Sequence, residues 1–177
     1  MASPITSPMA ALMAALMAGL IATMTPAMAS ASGPAPAPPL ASLCGSDEPV
    51  RFSCRMARSG KMVSLCEGPR HLIYRFGSPG KVELTLPDPA APSAPYLVHE
   101  QGGNAELKGV AFARGAYTYQ LTHFLGGRPV TEELSISVLR NGSPATLLKC
   151  AAQPAPLGDL PALFEQLRAG GMRVVRQ

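Results

Sequence analysis

Apolar and polar residues alternate along one short stretch in the first charged part of the chain. In 50–56 (VRFSCRM) every second side chain is apolar, and the chain returns through 62–67 (MVSLCE). A period of two with one apolar face is typical of a half-buried β-strand. The Ser59-Gly60 step between them favours a turn. The two stretches are therefore predicted to pair as a β-hairpin centred on Gly60.

A second hairpin is predicted over 72–86 (LIYRFGSPGKVELTL), where Pro-Gly supplies the turn. A five-residue loop over 77–81 places Arg75 opposite Glu83 on one face. On the other face it places Phe76 opposite Val82, Tyr74 opposite Leu84 and Leu72 opposite Leu86. A slipped register would set Arg75 against Lys81. Apolar pairs and opposite charges are each worth about 0.2–1 kcal/mol, so the first register is favoured.

The remaining β pattern follows a proline-rich loop over 87–95. A short strand is predicted at 96–100, and 106–124 is predicted to be a hairpin around Arg114-Gly115. A two-residue turn there would place Phe112 opposite Tyr117 and Val110 opposite Tyr119. Strands at 130–140 and 145–150 flank an Asn-Gly-Ser-Pro turn that Pro144 is expected to lengthen. Residues 44–150 thus predict an antiparallel β-barrel or β-sandwich of about eight strands.

The pattern changes to a helical spacing after Cys150. Leu160, Leu163, Phe164 and Leu167 recur on one helical face, Asp159 is a suitable N-cap, and Gly170-Gly171 ends the segment. The extension 151–177 is therefore predicted to hold a short helix. Packing against the β domain is the expected role, and binding of a partner is the alternative.

Four cysteines stand at 44, 54, 66 and 150, and no two of them have the Cys-x2-4-Cys spacing of a zinc site. An even number without metal spacing favours disulfides and an oxidising compartment, with no metal and no cofactor expected. A hairpin centred on Gly60 would place Cys54 opposite Cys66, which favours Cys54–Cys66 and Cys44–Cys150. All three connectivities remain open from the sequence.

The N-terminal residues precede the first charged side chain, Asp47. An apolar run over 9–24 is followed by Ala27-Met28-Ala29, a small-x-small site. Residues 1–29 are predicted to be a signal peptide cleaved after Ala29 (Ala31 is an alternative), followed by a Pro/Ala-rich linker over 30–43. The expected location is periplasmic or secreted, with no transmembrane segment after cleavage. An uncleaved anchor is the alternative.

Several motifs resemble a group of small exported bacterial proteins of unassigned activity. The densest is YRFGSPGKVEL at 74–84, and the resemblance spans roughly 51–150. Similar residues are Phe52-Ser53-Cys54, Val63 to Cys66, Gly102-Gly103, Tyr117-Thr118-Tyr119 and Cys150. The resemblance implies an exported β domain and carries over no catalytic residue.

The chain carries 15 basic and 11 acidic residues, a net charge of +4. So small an excess on an exported protein argues against a nucleic-acid partner, while an anionic glycan or an acidic envelope protein fits. Two sets of residues are candidates for binding. Arg51, Arg55 and Arg75 are predicted to face away from the core. Tyr117 and Tyr119, with Tyr74, are predicted to line a shallow aromatic site.

No nucleophile elbow or zinc-protease motif is present in the sequence. The expected function is therefore a non-enzymatic envelope protein that binds a protein or a glycan. One alternative is a periplasmic hydrolase with a His/Glu site among His99, Glu100, Glu106 and His123. Another is a structural or stress-related periplasmic protein without a tight ligand.

Overall fold

The computed structural model describes residues 42–176. The predicted signal peptide and most of the predicted linker lie outside the described residues. The fold is mainly β with one short C-terminal helix, as predicted. The elements are β1 (Val50–Arg55), β2 (Met62–Glu67), β3 (Leu72–Ser78), β4 (Lys81–Leu86), β5 (Tyr96–Gly102), β6 (Ala105–Arg114), β7 (Tyr117–Gly126), β8 (Thr131–Arg140), β9 (Ser143–Lys149), α1 (Leu160–Ala169) and β10 (Val174–Arg176).

Two sheets pack face to face as a sandwich. One has the order β1-β2-β3-β4, and the other has the order β10-β5-β6-β7-β8-β9. The alternation predicted for β1 is present, since Phe52 and Cys54 are fully buried in the core between the sheets. The facing sheet contributes a row of opposed apolar residues: Leu97, Val110, Leu121 and Ile136. Burial of these apolar faces is the main force that holds the two sheets together.

The two sheets differ in strand length. Strands β6, β7 and β8 have ten residues each, whereas β1 to β4 have six or seven. At 3.3–3.4 Å per residue, the longer strands span about 33 Å and the shorter ones about 20–23 Å. The inner face of the six-stranded sheet therefore extends beyond the four-stranded sheet. Helix α1 packs against part of this face through Leu160, Leu163 and Phe164, all of which are buried.

Helix α1 begins and ends where the sequence indicates. The Asp159 side chain accepts a hydrogen bond from the Ala162 N–H at 2.9 Å, which satisfies one of the unpaired amides of the first turn. The Gly170 N–H donates back to the Gln166 carbonyl at 2.9 Å. The three-residue β10 that follows was not predicted. It runs parallel to β5 and forms one edge of its sheet.

The predicted registers of three hairpins are wrong, although the predicted strands exist. In the first hairpin, the Met56 N–H donates to the Lys61 carbonyl at 2.7 Å, so Gly60 ends the loop instead of standing at its centre. Cys54 consequently lies opposite Val63, and Cys66 points to the other face of the sheet.

The central hairpin turns more tightly than predicted. Ser78 pairs with Lys81, which leaves Pro79 and Gly80 as a two-residue turn. A bulge beside Gly77 absorbs one residue of β4, so Phe76 lies opposite Leu84 and Tyr74 opposite Leu86. The apolar face is retained, but the predicted pairs are each displaced by two residues. Arg75 lies opposite Thr85 and not opposite Glu83.

The β6–β7 turn lies one residue later than predicted. Arg114 pairs with Tyr117, and the turn consists of Gly115 and Ala116, with Gly115 at a φ of 57° that glycine adopts without strain. Phe112 therefore lies opposite Tyr119 and Val110 opposite Leu121.

The last hairpin is tight as well. Ser143 pairs with Arg140 across the Asn141-Gly142 turn, and Pro144 lies within β9, so it does not lengthen the loop.

The favoured disulfide connectivity is also wrong. Cys44 is bonded to Cys66 and Cys54 to Cys150, with sequence separations of 22 and 96. The displaced first register is the cause, because it leaves Cys54 in the core opposite Val63 and places Cys66 on the other face, toward the segment that holds Cys44. Two disulfides fit an oxidising environment. Between residues 42 and 176, no helix has the length and apolar character needed to cross a membrane.

Candidate functional site

The segment Leu43–Glu48 lies over the outer face of the four-stranded sheet and engages Arg75. The Arg75 guanidinium forms a bidentate ion pair with the Glu48 carboxylate, with 2.8 Å between Nη2 and Oε1, and also donates to the Leu43 carbonyl at 3.3 Å. The hydrogen bonds from Arg75 lower the pKa of Glu48, and the same pairing raises the pKa of Arg75. Both groups are charged at neutral pH, and the guanidinium is held by this segment.

The other two arginines of the predicted basic face have different surroundings. Arg51 donates to Glu67 Oε2 at 2.9 Å and to Gln166 Oε1 of α1 at 2.5 Å. Arg55 makes one long hydrogen bond, at 3.5 Å, to the Gly60 carbonyl. Two of the three guanidinium groups therefore have carboxylate partners within the protein.

The three predicted tyrosines are brought together. The ring centroids of Tyr74 and Tyr119 are 6.1 Å apart, and those of Tyr119 and Tyr117 are 6.5 Å apart. The series leads from the core to the surface, since Tyr74 is 1% exposed and Tyr117 is 39% exposed. Burial raises the pKa of the Tyr74 phenol. Tyr74 is thus a packing residue that supports Tyr119, and Tyr117 is the ring that solvent reaches.

Two arginines that the sequence argument missed complete this surface. Arg114, Tyr117 and Arg140 are neighbours in one row across β6, β7 and β8. The row lies on the face that carries Phe112, Tyr119 and Val138, where the inner face of the sheet extends past the core. The Arg140 guanidinium carbon lies 5.9 Å from the Tyr117 ring centroid, within the range of a cation–π interaction. We call Arg114, Tyr117, Tyr119 and Arg140 the tyrosine–arginine surface.

A backbone hydrogen bond and an ion pair hold the tyrosine–arginine surface in place. The Asn141 N–H donates to the Ala116 carbonyl at 2.8 Å, which joins the tips of the β6–β7 and β8–β9 hairpins. Arg114 Nε lies 2.9 Å from Asp88 Oδ2, whereas Arg140 has no ion-pair partner among residues 42–176. The surface therefore presents one uncompensated guanidinium beside an exposed ring.

No family model, curated protein or solved structure matches this chain.

A β6–β7 register placed one residue later would have revealed Arg114 as the cross-strand neighbour of Tyr117. The alternation of β8 already sets Arg140 on the side of Val138, but only the β7–β8 register identifies Tyr117 as its neighbour, and no sequence pattern defined that register.

The histidines of the alternative hydrolase site lie elsewhere on the same sheet face. His99 and His123 flank Lys108 in one row across β5, β6 and β7. His99 Nε2 lies 3.0 Å from Glu106 Oε1, while Glu100, the next residue of β5, points to the opposite face of the sheet. The two histidines are thus separated by a lysine.

Each histidine of this row has its own carboxylate. His123 Nε2 lies 2.7 Å from Glu132 Oε1. Lys108 Nζ lies 3.2 Å from Glu106 and 3.1 Å from Glu165 of α1.

The charged groups of this row stabilise one another. The hydrogen bond with His99, together with the interactions with Lys108, lowers the pKa of Glu106. Desolvation opposes the charge of Lys108, but hydrogen bonds to Glu165 and Glu106 outweigh it, and the pKa of Lys108 is raised. A lysine held protonated between two carboxylates ties α1 to β6 and is not a nucleophile.

One grouping within residues 42–176 has the spacing of a metal site: Cys44, Glu48 and Cys66. Both sulfur atoms belong to one disulfide, so neither is a thiolate ligand, and the Glu48 carboxylate is bound by Arg75. These three residues do not fit a resident metal.

Proposed function

We propose that this protein is an exported, non-enzymatic binding protein of the cell envelope, and that it binds an anionic glycan at the tyrosine–arginine surface. The observation that carries the proposal is the Tyr117–Arg140 stack on the part of the sheet face that extends past the core. The predicted signal peptide and the two disulfides support an extracytoplasmic location.

The chemistry of the surface favours a ligand with both an apolar face and an acidic group. An exposed tyrosine ring offers a flat apolar contact area at little cost in side-chain entropy. A guanidinium without a carboxylate partner recognises a carboxylate through paired N–H donors. A sugar ring that bears a carboxylate presents these two features side by side.

The support beneath the surface favours binding without large rearrangement. Tyr119 lies beside Tyr117 on β7 and contacts buried Tyr74, and the Asn141–Ala116 hydrogen bond fixes the two hairpin tips. A site that is ordered before binding loses less conformational entropy when the ligand arrives. Tyr117 is exposed at the surface and does not line an enclosed cavity of the described residues, which suits a polymer better than an enclosed small molecule.

The proposal is tested by titrating the oxidised protein with a tetrasaccharide of galacturonic acid and, separately, with its neutral galactose counterpart. Binding is followed by ¹H–¹⁵N NMR. We expect the acidic sugar to shift the resonances of Tyr117 and Arg140 and the neutral sugar to bind at least about tenfold more weakly, because one charge-assisted hydrogen bond is worth about 1.5–3 kcal/mol. Raising the salt concentration should weaken binding.

The matched variants are Arg140→Gln and Arg173→Gln. Arg173 also stacks on a tyrosine, with its guanidinium 4.9 Å from the Tyr96 ring centroid, but at a different place in the fold. Arg140→Gln should lower the affinity about tenfold, as expected for a charge-assisted contact, and Arg173→Gln should not change it. Equal effects of the two substitutions, or equal binding of acidic and neutral sugars, would refute the proposed site.

A further inference from the structure

Strand β9 forms the second edge of the six-stranded sheet and is exposed along nearly its whole length. Leu147 is 54% exposed, which makes it one of the most exposed large apolar residues of the described chain. Such an edge carries unpaired backbone groups and is a template for another strand.

The hydrogen bonds at the end of β9 show which backbone groups face outward. The Cys150 N–H donates to the Leu134 carbonyl of β8 at 2.8 Å, whereas the Lys149 carbonyl accepts from Ala57 on the other side at 2.9 Å. Because alternate residues of an antiparallel strand direct their N–H and C=O groups to the same side, Leu147 directs both groups away from β8, as Lys149 does. Among residues 42–176, the edge is therefore open at Leu147 and closed at Lys149 by Ala57.

A cleft of about 240 Å³ adjoins the open part of this edge. It lies between the β1–β2 loop and β9, and it is lined by Met56, Ala57, Arg58, Ser59, Leu147, Leu148 and Lys149. Met56 and Leu148 pack against the core and give the cleft an apolar floor.

The charges at the rim of the cleft are positive. Lys149 forms an ion pair with Glu133, while Arg58 is exposed and has no ion-pair partner among residues 42–176. An acidic group on a docked segment would be the first carboxylate to reach Arg58.

We propose that the β9 edge and this cleft are a docking site for an extended segment of a partner protein. The segment adds as a strand beside Leu147, places a bulky apolar side chain in the cleft, and sets an acidic residue opposite Arg58. Backbone pairing supplies the affinity in this mode of recognition, and the pocket for one side chain supplies the specificity.

Charge and backbone chemistry disfavour a second copy of this chain as the occupant. Two β9 edges would bring Arg58 of both copies to the interface without an acidic residue from either edge, since 143–149 contains none. Pro144 also lacks the N–H that a paired copy would need. The docking site is separate from the tyrosine–arginine surface and does not depend on the proposed glycan.

The test uses a terminally blocked peptide, Thr-Val-Leu-Glu-Val-Thr, titrated into the oxidised full chain and followed by ¹H–¹⁵N NMR. We expect the largest shifts at Leu147 and in the β1–β2 loop, and slower hydrogen exchange of the Leu147 amide when the peptide is bound. The same peptide with an N-methylated leucine cannot donate a backbone hydrogen bond from that leucine to the Leu147 carbonyl. It should bind at least about tenfold more weakly.

Arg58→Glu is compared with Arg128→Glu, because Arg128 is exposed in the β7–β8 turn and lies outside the cleft. Arg58→Glu should weaken the peptide about tenfold and Arg128→Glu should not. A peptide with lysine in place of glutamate should bind Arg58→Glu better than it binds the unmodified protein.

Three results would each overturn the proposal: equal binding of the N-methylated peptide, equal effects of the two arginine substitutions, or no shift at Leu147 at millimolar peptide. A peptide-free dimer seen by sedimentation and abolished by Leu147→Lys would assign the edge to a second copy instead.

Discussion

The two disulfides are expected to contribute unequally to stability. In the chain-entropy description, a cross-link stabilises the native state by restricting the unfolded chain, and the effect grows with the length of the closed loop. For the separation of 96 residues between Cys54 and Cys150, the relation gives about 4.7 kcal/mol at 25 °C. For the separation of 22 between Cys44 and Cys66, it gives about 3.4 kcal/mol.

The comparison is well matched because each disulfide joins one fully buried cysteine to one half-buried cysteine. The cost of removing the side chains should therefore largely cancel. Replacing Cys54 and Cys150 by alanine should lower the free energy of unfolding by about 1.3 kcal/mol more than replacing Cys44 and Cys66.

Urea unfolding measures this difference. It is monitored by far-UV circular dichroism and by tyrosine fluorescence, since the chain has four tyrosines and no tryptophan. The free energy of unfolding should fall more steeply with urea concentration in both variants, because a chain with one fewer cross-link exposes more surface when it unfolds. Equal losses, or a larger loss for the Cys44–Cys66 pair, would refute the loop-length reasoning. Peptide mapping without reduction checks the connectivity itself.

Three further outcomes are expected from urea unfolding. Because Arg75 lowers the pKa of Glu48, their pairing stabilises the fold above the unfolded carboxyl pKa of about 4.3 and is lost as the pH falls through the lowered pKa. Glu48→Gln should therefore cost about 1–3 kcal/mol at pH 7, with the difference vanishing in acid; a constant difference would refute this. Gly158→Ala should cost more than Gly115→Ala, for which about 1–2 kcal/mol is expected. Both glycines have positive φ, but only at Gly158 would a Cβ lie 2.3 Å from a backbone oxygen, that of Arg51; equal costs would contradict the clash. Leu163→Ala should cost about 2–5 kcal/mol, because this buried leucine fixes α1 to the core; a cost below about 1 kcal/mol would show that the helix is not docked as described.

Local patterns were enough to predict β1 to β9 and the helix. Period-two alternation identified the core face of β1, and the Asp159 cap marked the first turn of α1. These signals depend on neighbours a few residues apart, which is the range over which a sequence specifies backbone conformation.

Registers were not predictable in the same way. In the central hairpin, the tight turn and the bulge at Gly77 together displace the predicted pairs by two residues, and in the β6–β7 hairpin the turn at Gly115 does so alone. Both displacements depend on how tightly the chain reverses in the folded protein. The predicted disulfide pairing was based on the predicted register of the first hairpin, and it was wrong because that register was wrong. Arg140 was missed for a related reason, since its neighbour Tyr117 is identified only by the β7–β8 register.

The bond between Cys54 and Cys150 also constrains the order in which this protein matures. As the chain emerges N-terminus first, Cys44 and Cys66 become available to Cys54 long before its native partner does. If Cys54 is oxidised before Cys150 is available, it forms a non-native bond with Cys44 or Cys66 that only thiol–disulfide exchange could correct. Strand β5 likewise pairs with β10 (Val174–Arg176), which is far from it in sequence. A chain stalled before residue 150 therefore cannot form the native Cys54–Cys150 bond.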